Sequence, residues 1–296
     1  MAPQRLGQHF LAGASWRERI ARLALASAAS PAVPANTKSV GGPPAHGGLW
    51  IEIGAGHGEM TSLLARQARR LIAIELDPRL LPRLREQTAA LPNVTVVAGD
   101  ILTLDLAQLA AYERFRVYGN LPYYITSPIV HCLLEHAGLL DSALLVVQLE
   151  VAARIAARPG SRDYGYLSAF TQFHAAAEIL LRIPPGAFQP PPKVQSALLA
   201  LRPPGERKVL GIEDEPAFMD FLKVCFAHKR KTLRNNLRAA VTQEEAGAVL
   251  RECGLAESAR AEEIGLPKFA RLFTAIGTRR NNLQPRQNKL RKEESR

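Results

Sequence analysis

Ile51-Glu52-Ile53-Gly54-Ala55-Gly56-His57-Gly58 follows the apolar start Leu49-Trp50 and runs straight into Glu59-Met60-Thr61. A strand, a glycine turn and a helix thus succeed one another without a spacer. Glycines at alternate positions let the backbone take left-handed conformations and let a ligand approach the turn closely. The spacing is G-x-G-x-G, whereas the turn that cradles a dinucleotide pyrophosphate reads G-x-G-x-x-G. It suits a nucleoside carrying an amino acid better than a pyrophosphate.

Outward from this turn the same alternation repeats. Short apolar strands are expected at Leu49–Ile53, Leu71–Glu75, Val94–Ala98, Phe115–Tyr118 and Ala143–Gln148, with helical periods at Glu59–Arg69, Pro78–Ala89 and Ser127–Leu140. Strands alternating with helices predict βαβ units around a mainly parallel sheet. Ala175–Arg182 and Gln195–Leu201 read as later strands of that sheet. After Arg202-Pro203-Pro204-Gly205 strand character vanishes and several short helices are expected. The predicted fold is α/β, a Rossmann-like sheet with a small C-terminal α-helical domain. Residues 1–204 form the catalytic domain, 205–277 the helical domain, and 278–296 a polar, mostly basic tail expected to be loosely ordered. The Pro- and Gly-rich stretch Ser30–Gly48 reads as a flexible surface insertion. No internal repeat is evident.

Composition narrows the partner. The 296 residues are 47% hydrophobic, enough to bury a real core, and carry a formal net charge of +11. An anionic partner follows, nucleic acid ahead of an acidic membrane surface. Cys132, Cys225 and Cys253 are widely spaced and odd in number, which points to a reducing compartment and away from a structural zinc site. No metal is expected. No apolar run approaches the length of a membrane-spanning helix.

The carboxyl ends of neighbouring strands carry the candidate ligand-binding groups, as open α/β sheets require. Gly54 and Gly56 form the turn. Glu75, 21 residues beyond Gly54, ends the next strand, where a carboxylate can accept both ribose hydroxyls. Asp100 closes the third in Ala98-Gly99-Asp100-Ile101, placed to accept from an adenine amine. Each acid taken singly could be a helix cap or a turn residue.

Asn120-Leu121-Pro122-Tyr123, followed by Tyr124, supplies what a nitrogen on a nucleobase needs before methylation. The lone pair of adenine's exocyclic amine is spread into the ring. Two acceptors aimed at its hydrogens, the Asn120 side-chain carbonyl and the Leu121 main-chain carbonyl, would return that pair for attack. Pro122 lacks a donor, fixes its own φ and restricts Leu121. Tyr123 offers a face to an extruded base. No acid, metal or covalent nucleophile is required. The alternative is an ordinary turn after a strand; order and spacing together favour the site.

These residues resemble the ribosomal RNA adenine dimethyltransferase family through nearly the whole chain. Gly7-Gln8-His9-Phe10-Leu11 resembles its N-terminal cofactor-lid motif, and Ile51–Thr61 its glycine loop. Gln148–Arg154 and Tyr164–Ser168 resemble later core motifs, Phe188-Gln-Pro-Pro-Pro-Lys-Val194 with Ser196 the base-clamping loop, and Lys229–Leu237 a basic helix. The resemblance implies a class I methyltransferase that binds S-adenosylmethionine through His9, Leu11, Gly54, Gly56, Glu75, Asp100, Ile101 and Asn120. It implies an adenine held between Tyr123 and Phe188. It also implies N6,N6-dimethylation of two adjacent adenines in a hairpin near the 3′ end of small-subunit ribosomal RNA, on an immature small subunit. A cytoplasmic monomer with a role in ribosome biogenesis is expected. The Ala-, Arg- and Ser-rich run up to Ser30 faintly resembles an organelle transit peptide, but its cleavage would remove His9 and Leu11. Three positions depart from the family pattern: His9 stands where many relatives have Asn, Ala55 replaces a common Pro, and Ser30–Gly48 is longer than usual.

Lys229, Arg230, Lys231, Arg234 and Arg238 cluster without an intervening acid. Helical spacing puts 230, 234 and 238 on one face, with Phe226, Leu233 and Leu237 on an apolar stripe. This basic ridge is the candidate RNA-binding surface, against the plainer reading of a solvated face. The main rival functions are a large-subunit ribosomal RNA adenine methyltransferase and a non-catalytic small-subunit assembly factor. DNA adenine and release-factor glutamine methyltransferases carry Pro where this chain has Leu121, and intact Glu75, Asp100 and Asn120 disfavour loss of catalysis. A hydride-transfer enzyme on a dinucleotide fold is the weakest alternative.

Overall fold

The computed structural model describes residues 9–28 and 47–277. Gly7 and Gln8 of the lid motif, most of the Ser30–Gly48 insertion and the tail from 278 lie outside the described residues. The chain forms two compact units. One takes residues up to Ala156 together with His174–Gly205; the other takes Ala157–Phe173 together with the chain from Glu206 onward. The second unit therefore draws a segment from within the first 204 residues.

The strands of the first unit are β1 (Phe10–Leu11), β2 (Leu49–Ile53), β3 (Arg70–Glu75), β4 (Val94–Ala98), β5 (Phe115–Asn120), β6 (Leu140–Gln148), β7 (Ala176–Ile183), β8 (Phe188–Gln189) and β9 (Ser196–Arg202). Seven of them form one sheet in the order β4-β3-β2-β5-β6-β9-β7. Pairing is parallel from β4 through β6, while β9 runs antiparallel to both β6 and β7. β2 is buried at every residue, which explains its nearly unbroken apolar reading. From β2 the chain winds outward through β3 to β4, then returns to lay β5 on the other side of β2. Ile53 pairs with Gly119, so the two carboxyl ends lie level at this reversal of strand order. A ligand crevice belongs there.

The helices are shorter than the periodicity suggests, because turns take over residues at their ends. The first after the glycine turn spans Glu59–Ala65 and stops short of Arg69, whose N–H donates to the Gly47 carbonyl instead. The second begins at Leu81, since the Asp77 carboxylate accepts the Arg79 N–H and holds Pro78–Leu80 in a turn. The third spans Thr126–Glu135, capped at His136, and leaves room for β6 to begin at Leu140, three residues before the expected Ala143. Trp50, Tyr118, Leu64, Leu71, Leu144, Val146 and Leu198 form a buried core that also takes in Ile20 and Ala24 of the helix Ala14–Ala28. β1 and β8 pair antiparallel, with Leu11 opposite Phe188, and the Ala12 N–H donates to the Ala187 carbonyl at 2.9 Å.

In the second unit, helices Glu215–Cys225, Leu233–Leu237 and Gln243–Glu252 begin at side-chain caps from Asp214, Thr232 and Thr242. A further helix runs from 266 to 277. The Phe218 ring packs 5.4 Å from both Phe173 and Phe273. Tyr164 lies 5.8 Å from Phe226, so the segment Ala157–Phe173 contributes part of this unit's aromatic core.

Candidate active site

The chain leaves β2 at Ile53 and turns through Gly54, Gly56 and Gly58, all in the left-handed region at φ 71°, 60° and 91°. A Cβ at Gly56 would lie 3.0 Å from the Phe10 ring, so this glycine is needed both for its dihedral and for the close approach of the 9–11 segment. Glu75, only 2% exposed, holds the turn: its Oε2 accepts the Gly56 N–H at 2.7 Å and its Oε1 accepts the Asp77 N–H at 2.8 Å. Each carboxylate oxygen keeps a further lone pair for a ligand hydroxyl. Asp100, two residues past β4, accepts the Leu102 N–H on Oδ1 at 3.0 Å, which leaves Oδ2 for a ligand.

These groups share one cavity of about 790 Å3 over the carboxyl ends of the strands, open to solvent. His9, Gly54, Gly56, Glu75, Asp100 and Ile101, residues expected to hold a cofactor, all line it. Asn120, Leu121, Pro122 and Tyr123 line the same cavity. Asn120 ends β5, and its Nδ2 donates to the His9 carbonyl at 2.7 Å. That bond commits the amide nitrogen and leaves Oδ1 as the acceptor end. The Leu121 N–H donates to the Val146 carbonyl at 3.0 Å and its side chain is buried, so the Leu121 peptide is pinned on both sides. Pro122 then starts a single 3-10 turn, Tyr123–Ile125. The Tyr123 hydroxyl bonds Ser196 Oγ at 2.7 Å and its ring stacks on His9 at 5.6 Å. Burial raises the Tyr123 hydroxyl above the ordinary tyrosine range, and the Ser196 bond partly offsets this. His9 Nδ1 lies 2.8 Å from the Pro190 carbonyl, an acceptor only, so Nδ1 must carry the proton. This settles the tautomer that the replacement of Asn by His leaves open.

Two expected site residues lie elsewhere. Phe188 lines neither this cavity nor its neighbour; it is 2% exposed and packed in the core opposite Leu11. Its pairing in β8 turns the side chain inward. Leu11 borders a smaller recess of about 360 Å3 beside the glycine turn. That recess contains two groups not anticipated, Glu52 and Tyr118, side by side on the paired strands β2 and β5. Glu52 Oε2 and the Tyr118 hydroxyl are buried without a hydrogen-bond partner among the described residues. Burial pushes the Glu52 carboxyl up to about 8, Glu75 and Glu59 reinforce the shift, and the Thr61 hydroxyl draws it partly back. The signal was present in the sequence as the single charge inside Leu49–Ile53. Tyr124, 64% exposed, lines the larger cavity beside Tyr123.

The basic segment of the second unit departs from the expected helix. Thr232 is extended, at φ −65° and ψ 154°, and its side chain caps a helix that spans only Leu233–Leu237. Lys229, Arg230 and Lys231 therefore precede the helix, and 230, 234 and 238 do not share a helical face. Leu233 and Leu237 are fully buried, as the apolar stripe predicts. Arg234 is paired with Glu257, 2.5 Å away, and so is withdrawn from the free positive charge. Asn236 ties the turn together by donating to the Cys225 and His228 carbonyls. Lys229 Nζ donates to the Arg162 carbonyl, which brings exposed Arg158 and Arg162 into the neighbourhood of exposed Lys229, Arg230 and Lys231.

A family model described as ribosomal RNA adenine dimethylase matches residues 4–277. The chain is similar to a protein of Acidobacterium capsulatum named ribosomal RNA small subunit methyltransferase A, 49% identical over 77% of this chain and 81% of that one. A protein of the same name from Geobacter sulfurreducens is 40% identical over 93% of this chain and 95% of its own. Among solved structures, the 23S rRNA methyltransferase ErmE aligns with a TM-score of 0.65 at 27% identity, over 90% of this chain and 99% of that one. A dimethyladenosine transferase from Plasmodium falciparum shares the fold with a TM-score of 0.73 at 22% identity, over 91% of this chain and 98% of its own.

Proposed function

The chain belongs to the ribosomal RNA adenine dimethylase family, and from that premise we propose that it uses S-adenosylmethionine to dimethylate N6 of two adjacent adenines in a hairpin near the 3′ end of small-subunit ribosomal RNA. The observation that carries this reading is that the Asn120-Leu121-Pro122-Tyr123 turn lines one cavity together with Gly54, Glu75 and Asp100. Relatives at 40 and 49% identity carry the small-subunit name, against 27% for the 23S rRNA methyltransferase, and this favours the small-subunit substrate.

The residues present fit the methyl donor. The Gly54–Gly56 turn lines the cavity with bare backbone, Glu75 and Asp100 retain free acceptor positions, and a buried orphan carboxyl lies beside the turn. His9, Leu11, Gly54, Gly56, Glu75, Asp100, Ile101 and Asn120 would hold it. The donor supplies a methyl group on a cationic sulfonium. The protein's part is placement. Asn120 Oδ1 and the Leu121 carbonyl accept from the two amine hydrogens and return the nitrogen lone pair, while the Tyr123 ring holds the base against one face. The mostly apolar wall made by Leu121, Pro122, Ile125 and Ile129 lowers the local polarity and strengthens those bonds. The amine becomes acidic once alkylated, so its proton passes to solvent without a dedicated base. Asp100 would accept a hydrogen bond from the donor's own adenine amine.

Lys229, Arg230, Lys231 and Arg238 are assigned to RNA phosphates, which position the substrate without reading its sequence. We place the reaction on an immature small subunit, in the cytoplasm, with the protein acting as a monomer. No helix among the described residues is long and apolar enough to cross a membrane. The test offers unmethylated small subunits and naked large-subunit RNA as competing substrates with labelled S-adenosylmethionine, then identifies the modified nucleoside by mass. Dimethyladenosine confined to the small subunit is expected. Label on the large-subunit RNA alone, or no dimethyladenosine, overturns the reading.

A further inference from the structure

A stacking platform serves only if its ring is held, and Tyr123 is held at both ends. Its backbone sits in the 3-10 turn after Pro122, closed by the Ile125 N–H on the Pro122 carbonyl at 3.2 Å, and its hydroxyl bonds Ser196 Oγ at 2.7 Å. One freedom is left, rotation of the ring about the axis from Cβ to the hydroxyl, because that torsion is broad and two-fold. A group packed against the ring face restrains it. His9 is such a group: the two ring centroids lie 5.6 Å apart, with the planes 27° from parallel. Phe188, the wall expected opposite, is buried in the core, so the Tyr123 ring is left to set the plane of the base.

The His9 residue is itself fixed at its ring and at its backbone. Nδ1 donates to the Pro190 carbonyl at 2.8 Å, the main-chain carbonyl accepts Asn120 Nδ2 at 2.7 Å, and the next residue, Phe10, pairs with Gln189. One residue thus joins the amide that presents the amine acceptor, the stacking ring and the chain that leaves β8. We propose that the His9 imidazole is a positioning residue for Tyr123: it stops the ring from turning and sets its tilt relative to Asn120 Oδ1, so that the adenine stacks on the Tyr123 face away from His9 with its amine at that oxygen. This rests on the functional reading above. An Asn at position 9, as many relatives have, keeps an amide donor but leaves the Tyr123 face uncovered. A role through the ring and a role through a polar contact to the methyl donor therefore rank substitutions in opposite orders: Phe above Asn for the first, Asn above Phe for the second.

Single-turnover methyl transfer to unmethylated small subunits at saturating S-adenosylmethionine, with donor affinity measured by calorimetry, separates the two in the full-length protein. His9→Asn should slow transfer about three- to tenfold, the scale of one lost aromatic pair, with donor affinity kept within about twofold. His9→Phe should recover most of that loss. In a Tyr123→Ala background His9→Asn should cost nothing further, since a residue that acts through another has no effect once its partner is gone. A loss that appears as weaker donor binding and vanishes at saturation, Asn outperforming Phe at position 9, or additive losses in the double variant overturns the proposal. A second measurement needs no substrate. The flip rate of the Tyr123 ring, read by NMR relaxation on isotope-labelled tyrosine in the free protein, should rise at least about tenfold in His9→Asn and fall back in His9→Phe. An unchanged flip rate overturns the proposal and leaves the functional reading intact. Absence of methyl transfer by the unaltered protein overturns that reading, while the flip rate still decides whether His9 holds the ring.

Discussion

Asn120 shows how one side chain can serve two neighbours. Its nitrogen anchors the His9 carbonyl and its oxygen is left for the substrate amine. Asn120→Ala should therefore keep donor affinity within about tenfold while lowering turnover at least a hundredfold, the pattern of lost transition-state positioning. Binding and single-turnover measurements on the same preparation check it, and near-normal turnover would sink the amine-activation mechanism. Phe188 was expected to share the base with Tyr123, yet it packs in the core. Phe188→Ala should thus act on stability, costing about 3–5 kcal/mol as a large core truncation does, whereas Tyr123→Ala should lower activity with a smaller change in melting. Equal melting temperatures for Phe188→Ala and the unaltered protein would return Phe188 to the site. Glu52 adds a pH signature of its own. Its folded-state pKa near 8 lies above that of an unfolded glutamate, so the folded protein binds the extra proton between roughly pH 4.5 and 8. Its contribution is most favourable below that window and is lost as pH rises, at about 1.4 kcal/mol per unit. Glu52→Gln should melt close to the unaltered protein at pH 5 and clearly above it at pH 8; a difference independent of pH would contradict this.

Among the elements, the basic segment teaches the most. Counting acids along the chain left Arg234 unpaired, but Glu257 reaches it from 23 residues away. Helical spacing likewise put Arg230 on a face with Arg234 and Arg238, and the Thr232 cap interrupts that register. RNA contacts should come from the turn before the helix. Replacing Lys229, Arg230 and Lys231 together by Ala should reduce the slope of log affinity against log salt by about two to three and leave donor binding unchanged. Arg234→Ala should leave that slope in place and lower thermal stability, because Glu257 loses a partner. RNA-binding isotherms at several salt concentrations separate the two. The strand ends were legible because glycine turns and buried apolar runs punctuate them. The helix ends were not, since they depend on distant backbone partners such as the Gly47 carbonyl that takes the Arg69 N–H.

At the scale of the molecule, the alternation of strand and helix announced a parallel sheet with the site at its carboxyl edge, and β2 through β6 form it. The division into units was less visible. Pro203-Pro204-Gly205 marks one boundary, but Ala157–Phe173 joins the second unit through Tyr164 on Phe226 and Phe173 on Phe218. A fragment ending at 204 would carry those aromatic side chains without their packing partners, so it should aggregate or melt without cooperativity where the whole chain melts sharply. Size-exclusion chromatography and thermal melting of the fragment decide this; a soluble, cooperative fragment would show the segment to be dispensable. By itself the sequence determined the sheet, the glycine turn, the carboxylates at the strand ends and the Asn120 turn, because periodicity, glycine dihedrals and proline restriction are local properties of the chain. Only the tertiary structure decided which side of the β1–β8 pair Phe188 faces, which acid neutralises Arg234, and that Glu52 lies buried without a partner. Those outcomes depend on what the rest of the fold brings within a few ångströms, and no spacing along the chain encodes it.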